Sequence, residues 1–313
     1  MGNPLHETSI SDATNIEQNG KEVSVFKDFL SLIKIGIIHS NMLTAITGIV
    51  LALFYNGLSF RDYIVEIILS LAGIWLVIAG STTLNNYIDR DIDELMDRTK
   101  SRPTVTGNFP LSFVLTIGFV FIATGSLLLF QTSFPAGVIG LFGAFVYVVL
   151  YSLWTKRKYT LNTIVGSFSG AVPPLIGWAA IDPDFHLAAW VLFFIMFIWQ
   201  PPHFLALAMK KVEEYRRVGI PMLPVVYGFP MTKRQIMLWV VSLFPLPFLL
   251  SPLGPTFIGI ATSLNIAWLA AGLYQYRGDD EKWATRMFIF SLNYLTLLFL
   301  SIIAFSIVKI VGI

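Results

Sequence analysis

Residues 64–103 read IVEIILSLAGIWLVIAGSTTLNNYIDRDIDELMDRTKSRP. The first half is apolar with no side preferred, for about the 20 residues that a helix needs to cross a ~30 Å hydrocarbon core. A helix apolar all round is buried in a protein core or in lipid. The second half changes character abruptly: asparagines, aspartates, arginines and a lysine follow one another until Pro103, which ends the local helix. A membrane-spanning helix running into an acid-and-base loop is the pattern from which the rest of the chain can be read.

Outward from this stretch the composition agrees. The chain has 313 residues, 55% hydrophobic and 13% charged, against about 25% charged in an ordinary soluble domain. That is too little polar surface to coat a water-soluble globule. Nine apolar runs are long enough to span, at about 30–54, 64–86, 110–130, 134–154, 161–181, 187–208, 236–252, 256–275 and 286–310. Unpaired backbone groups are costly in lipid, so the runs are helices. The fold class is all-α: a polytopic membrane protein of nine transmembrane helices. Residues 1–25 are polar and lack a signal-peptide pattern; they read as a disordered cytoplasmic tail ahead of one membrane domain over 26–313. Cysteine is absent, which excludes disulfides, thiolate metal sites and cysteine nucleophiles.

Basic residues set the orientation. Lys21, Lys27 and Lys34 precede or enter the first span, and the other basic groups follow the second, fourth, sixth and eighth; the opposite side keeps only Arg61 and Lys309. The expected topology has the N-terminus and the charged loops in the cytoplasm, the C-terminus outside, and the chain in the cell membrane.

Asn85, Asp89, Asp93 and Asp97 recur every four residues. On a helix they form one drifting stripe with steps of about 6 Å. Like charges so placed destabilise a helix by roughly 0.2–0.5 kcal/mol per pair, so packing does not account for them. A divalent cation does: magnesium takes hard oxygen ligands and uses one or two carboxylates plus substrate phosphates. Arg90, Arg98, Lys100 and Arg102 stand beside the acids, and Arg and Lys are the residues that contact phosphate oxygens. Acids, metal and bases together describe a diphosphate site; a solvated charged loop is the plainer alternative.

The sixth span runs into WQPPHFLALAMKKVEEYRRVGIPMLP, with Lys210, Lys211, Glu213, Glu214, Arg216 and Arg217 at the same membrane side. This second mixed cluster is placed to close over one anionic ligand with the first, although a basic cytoplasmic loop is expected there in any case. His203 lies inside the span beside Pro201 and Pro202, where polar groups usually face the bundle interior. It is open to three readings: an interhelical hydrogen bond, a haem iron ligand or a propionate contact. The fifth span, TLNTIVGSFSGAVPPLIGW, carries Gly166, Ser167 and Gly170, whose small side chains permit close helix approach. Lys156, Arg157 and Asn162 sit at its entrance.

NNYIDRDID followed by RTKSRP resembles the first aspartate-rich motif of the UbiA superfamily of intramembrane prenyltransferases. WQPPHF, EEYRRVGIPMLP and WTKRKYTLNTIVGSFSGAVPPLIGW resemble its haem-farnesylating branch, over about residues 27–310. The resemblance implies a nine-helix UbiA-type bundle with its polar end on the cytoplasmic side, and a transferase joining farnesyl from farnesyl diphosphate to a vinyl group of haem b with addition of water. It implies that Asn85, Asp89 and Asp93 hold Mg2+ and the diphosphate, assisted by Arg98, Lys100, Arg102, Lys156 and Arg157. His203, Lys210, Lys211, Glu213 and Glu214 are the candidate haem or second-cluster contacts. The implied partners are haem b, farnesyl diphosphate, the lipid bilayer and a haem A synthase or terminal oxidase assembly, with no nucleic acid. One departure stands out: Lys211 occupies a position where members with aromatic substrates carry an aspartate, which leaves a second magnesium site open. The alternatives are a related enzyme acting on an aromatic quinone precursor and, in a different class, a membrane transporter, whose coupling site belongs near the bilayer midplane.

Overall fold

The computed structural model describes residues 25–311, and no strand occurs among them. The tail over 1–24 lies outside the described residues; position 25 opens a short helix, α1, over 25–32. The chain then forms α2 (Ile35–Tyr55), α3 (Ile64–Ile88), the short α4 (Arg90–Asp93) and α5 (Pro103–Thr106), and α6 (Leu111–Thr132). α7 (Phe134–Phe145) continues into a π-helical segment, Val146–Thr155, and α8 (Asn162–Ile181) and α9 (Leu187–Lys210) follow. The short α10 (Val212–Arg217) leads to α11 (Leu223–Ser242), α12 (Pro255–Leu273) and α13 (Asp280–Val311). Among the described residues nine helices are long and apolar enough to cross a membrane, and they match the nine apolar runs one for one.

The seventh span is longer than its apolar run. It extends over Leu223–Leu253, through a break at Gly228, whose φ of 74° favours a residue without a Cβ. Lys233, which reads as part of an exposed basic loop, is buried: it pairs with Asp280 and donates to the Tyr276 carbonyl at 2.8 Å. Charge at a helix end is thus folded in, and the apolar run underestimates the helix.

α8 and α9 form the centre, with 67% and 72% of their apolar windows enclosed, whereas α6 and α12 have 28%. The outer helices show large apolar side chains such as Phe119, Leu127 and Ile266; such surface suits lipid. α8 contacts α2, α7 and α9, and α13 returns against both α9 and α2, closing the bundle. Lipid tails are as apolar as leucine, so helix association in a membrane depends on close packing and interhelical hydrogen bonds. Both are present. A Cβ on Gly177 would sit 2.2 Å from the Ala45 carbonyl oxygen, and one on Gly170 would meet the Gln200 amide, so the small residues of α8 do bring backbones together. Gln200 donates to the Ser167 carbonyl at 2.9 Å, and Trp199 to that of Ser291 at 2.8 Å.

Candidate active site

The charged cluster is built from three breaks in helical regularity. The first separates α1 from α2. Thr82 donates to the Ile33 carbonyl at 2.7 Å, and Asn86 to that of Leu32 at 2.7 Å. α3 thereby takes up carbonyl groups at the interruption, where Lys34 adopts a left-handed φ of 53°. Its amine donates to Asn85 Oδ1. The adjacent asparagines divide the work: Asn86 fixes the neighbouring backbone and Asn85 faces the site.

The second break is the π-helical segment. Its wider turn carries i→i−5 bonds, seen in the Lys156 amide donating to the Tyr151 carbonyl at 2.9 Å. This register brings Ser152 Oγ to 2.8 Å from Asn85 Nδ2 and the Lys156 amine onto Asp89 Oδ2. The third break follows α3. Thr99 donates to the Asp93 carbonyl at 3.0 Å, folding the loop back on itself. Arg102 is extended (φ −66°, ψ 145°), as a residue before proline should be, with Pro103 starting α5. The turn delivers the Arg102 guanidinium to Asp93 Oδ2.

The result brings together Asn85, Asp89, Asp93, Arg102, Lys156 and Arg157. Asp89 is 0% exposed and Asp93 3%. Asn85 Nδ2 also donates to Asp89 Oδ2 at 2.8 Å. Arg157 forms a bidentate pair with Asp91, both bonds 2.7 Å, and donates to the Ile88 carbonyl. That pairing holds the Asp91 carboxyl below its ordinary range, with the Arg157 hydrogen bond the leading cause, and raises the guanidinium in return.

Two expectations change. The acidic stripe is not one helix: α3 ends at Ile88, and Asp89 is a non-helical junction before α4. The change of direction turns Asp97 outward, where it meets Lys100 at 3.0 Å with both side chains 63% exposed. Lys100 therefore lies outside the buried cluster, as does Arg90, which donates to its neighbour Tyr87's carbonyl and covers that ring. Arg98 is exposed on the same loop. Hydrogen bonding from Lys100 lowers the Asp97 carboxyl, a surface effect.

The second charged segment meets the first at the rim. Arg217 lies 3.8 Å from Asp97, and Ile92 packs with Ala208, Ile220 and Met222 beneath. Lys211 pairs with Glu214 at 2.8 Å, and Glu213 with Arg216 on the exposed face. Tyr215 is the member of this segment turned inward: burial raises its phenol, as does Tyr151, while Arg98 and Lys156 oppose the rise. Lys34, Ser152 and Tyr215 are site neighbours missed from the sequence; only the basic character of Lys34 was visible there.

His203 sits deeper in α9, stacked between Trp199 and Phe288 with ring centroids 4.7 and 4.8 Å away. Ser291 Oγ donates its single proton to the Phe288 carbonyl at 2.6 Å. Its oxygen therefore accepts from His203 Nδ1–H at 2.7 Å, which fixes the tautomer and leaves Nε2 a lone pair. Lys210 lies 5.1 Å above the same Phe288 ring.

Among the described residues no three His, Asp or Glu side chains converge as a ready metal centre. The cluster offers two buried carboxylates and an amide oxygen. Asp89 Oδ1 is buried with no hydrogen bond, its nearest cation being Arg157 at 3.9 Å. An orphaned carboxylate oxygen beside further hard donors fits a magnesium ion whose coordination is completed by phosphate oxygens.

A nine-helix membrane bundle whose polar end gathers buried acids and several cations defines a membrane-bound transferase for phosphorylated prenyl groups. The model of the UbiA prenyltransferase family matches residues 41–301, and the chain belongs to that family. It is 58% identical over 300 residues to a protoheme IX farnesyltransferase of Bacillus cereus strain B4264, covering 95% of this chain and 98% of the relative. With the Bacillus anthracis (strain CDC 684) protein of the same name it shares 61% over 284 residues, 90% of this chain and 92% of that one. Among solved structures it resembles a digeranylgeranylglyceryl phosphate synthase with TM-score 0.74 at 19% identity, over 90% and 98% of the two chains. An Archaeoglobus fulgidus UbiA homolog bound to DMAPP and Mg2+ superposes with TM-score 0.63 at 17% identity, over 91% and 100%. These structural likenesses bear on the fold.

Proposed function

We propose that the protein transfers farnesyl from farnesyl diphosphate to a vinyl group of haem b, with addition of water, giving haem o and diphosphate. Near-full-length identity to protoheme IX farnesyltransferases supports the substrates. The single observation that carries the chemistry is the buried Asn85–Asp89–Asp93 cluster interlocked with Arg102 and Lys156.

On this reading Asn85, Asp89 and Asp93 hold magnesium, which when bound supplies positive charge to the diphosphate oxygens. Arg102, Lys156 and Arg157 bind that diphosphate and stabilise the charge developing on it as the allylic C–O bond breaks. Electrostatic groups aimed where charge develops are usually the largest catalytic contribution. Tyr147 and Tyr151, stacked 5.8 Å apart beside Lys156, present ring faces that favour a carbocation. The apolar bundle excludes water until the vinyl carbon has attacked. On the acceptor side His203, through its free Nε2, and Lys210 are assigned to the haem iron and a propionate. Lys211 and Glu214 neutralise each other and close the rim, and Lys100 drops out of the diphosphate set. The basic end faces the cytoplasm of the cell membrane, by the bias of basic loops to that side, with 26–313 acting as one membrane unit.

The test is turnover of purified protein supplied with farnesyl diphosphate, magnesium, haem b and an aromatic acid together, read by mass spectrometry. Farnesylated, hydrated haem is expected. Prenylation of the aromatic acid instead would overturn the acceptor assignment, and no prenyl transfer to either would overturn the whole reading.

A further inference from the structure

The oxygens assigned to the metal are each covered by a cation of the chain. Asn85 Oδ1 accepts from Lys34, Asp89 Oδ2 from Lys156 and Asp93 Oδ2 from Arg102. The Lys156 and Arg102 side chains are 15% exposed and their carboxylates 1% and 4%, so water substitutes poorly for a lost partner. Lys34 is the unexpected member. It reaches Asn85 across 51 residues of sequence, from a left-handed conformation that non-glycine residues seldom adopt. Such conformations persist where surrounding structure over-determines them, often at functional sites. Here Thr82 and Asn86 do so, by taking the carbonyl groups of the two preceding residues.

We propose that Lys34 is a further diphosphate-binding residue that exchanges partners, leaving Asn85 Oδ1 for a diphosphate oxygen as a divalent cation takes the amide, so that cation and diphosphate bind as a pair. The inference rests on the reading of Asn85, Asp89 and Asp93 as metal ligands. A divalent cation arriving alone must displace Lys34, Lys156 and Arg102, and leaves them facing a dication without counter-charge. Diphosphate arriving alone draws the same cations off and leaves Asp89 and Asp93 bare beside a polyanion. Arriving together, the two ligands swap with the pairs already made: metal to the acids and amide, diphosphate to the cations. Each ligand therefore raises the affinity of the other by the same factor, as linkage requires.

The experiment uses full-length protein in detergent, with Mn2+ binding read by electron paramagnetic resonance with and without inorganic diphosphate. In the unmodified protein, saturating diphosphate should tighten Mn2+ binding by about tenfold or more. In Lys34→Met, Mn2+ alone should bind more tightly, because Asn85 Oδ1 is uncovered, while the tightening by diphosphate falls by about an order of magnitude. A purely structural lysine would weaken both or change neither, and either result overturns the proposal. Lys34→Gln, uncharged yet still able to donate to Asn85, is the second variant. It should lose the diphosphate effect without gaining Mn2+ affinity, and full retention of that effect overturns the proposal even if Lys34→Met does not fold. Failure of the underlying reading has its own signature: the unmodified protein would bind Mn2+ and diphosphate no better than Asp89→Asn does.

Discussion

Asp89→Asn keeps the size of the side chain and removes its charge. Asp89 is 0% exposed. Oδ2 receives the Lys156 amine and the Asn85 amide, and Arg157 stands 3.9 Å from Oδ1. The substitution leaves a nearly buried ammonium without its anion. Breaking one side of a buried pair costs about 3–5 kcal/mol, and the 15% exposure of Lys156 keeps this case near the lower end of that range. Loss of one preorganised electrostatic group at a developing charge reduces turnover by about 100- to 1000-fold. The expected phenotype is protein that inserts but forms little product, measured by extracting membrane haems, separating them by chromatography and normalising to protein by immunoblot. Asp97→Asn is the paired control. It belongs to the same four-residue repeat but is 63% exposed, and its loss should change turnover by less than about fivefold. Turnover of Asp89→Asn above a tenth of normal, or an equal fall in Asp97→Asn, would refute the assignment of the inner oxygens.

Further outcomes follow from the same geometry. Exhaustive chelation should stop haem farnesylation and added magnesium should restore it, in the mass-spectrometric turnover assay. Gly177→Ala places a methyl group 2.2 Å from the Ala45 carbonyl oxygen; overpacking of this kind costs about 1–3 kcal/mol, read as a lower unfolding temperature in detergent. Ser291→Ala removes the acceptor of His203 Nδ1–H and should cost about 1–3 kcal/mol, with weaker haem binding in a Soret titration. The Asp91 carboxyl is depressed by Arg157, so its pairing stabilises the protein above the ordinary carboxylate value and is lost as pH falls through the depressed one. The unfolding-temperature gap between the unmodified protein and Asp91→Asn should therefore be full at neutral pH and close in acid.

The spans were legible because the bilayer imposes one length and one polarity on nine segments, and the mixed loop after α3 was legible because acids at four-residue steps oppose helix stability. The periodicity argument failed where the helix did: the junction at Asp89 ends the stripe, so Asp97 and Lys100 separate from the inner acids. Lys34 was hidden for a different reason. Its position depends on Thr82 and Asn86 holding a helix break some fifty residues earlier, and nothing local to LIKIGI records that contact. His203 was correctly placed inside a span, yet its tautomer depends on Ser291, 88 residues away.

The over-wound stretch Val146–Thr155 has a consequence for indels. It carries extra chain per turn relative to an α-helix, which rotates by about 100° per residue. Excising one amino acid there lets the stretch tighten, and everything beyond it then faces a new compass direction. Lys156 and Arg157 would be swung off the carboxylates without either having been altered. A point deletion in a greasy, chemically silent segment is thus as damaging as removing the charged groups themselves.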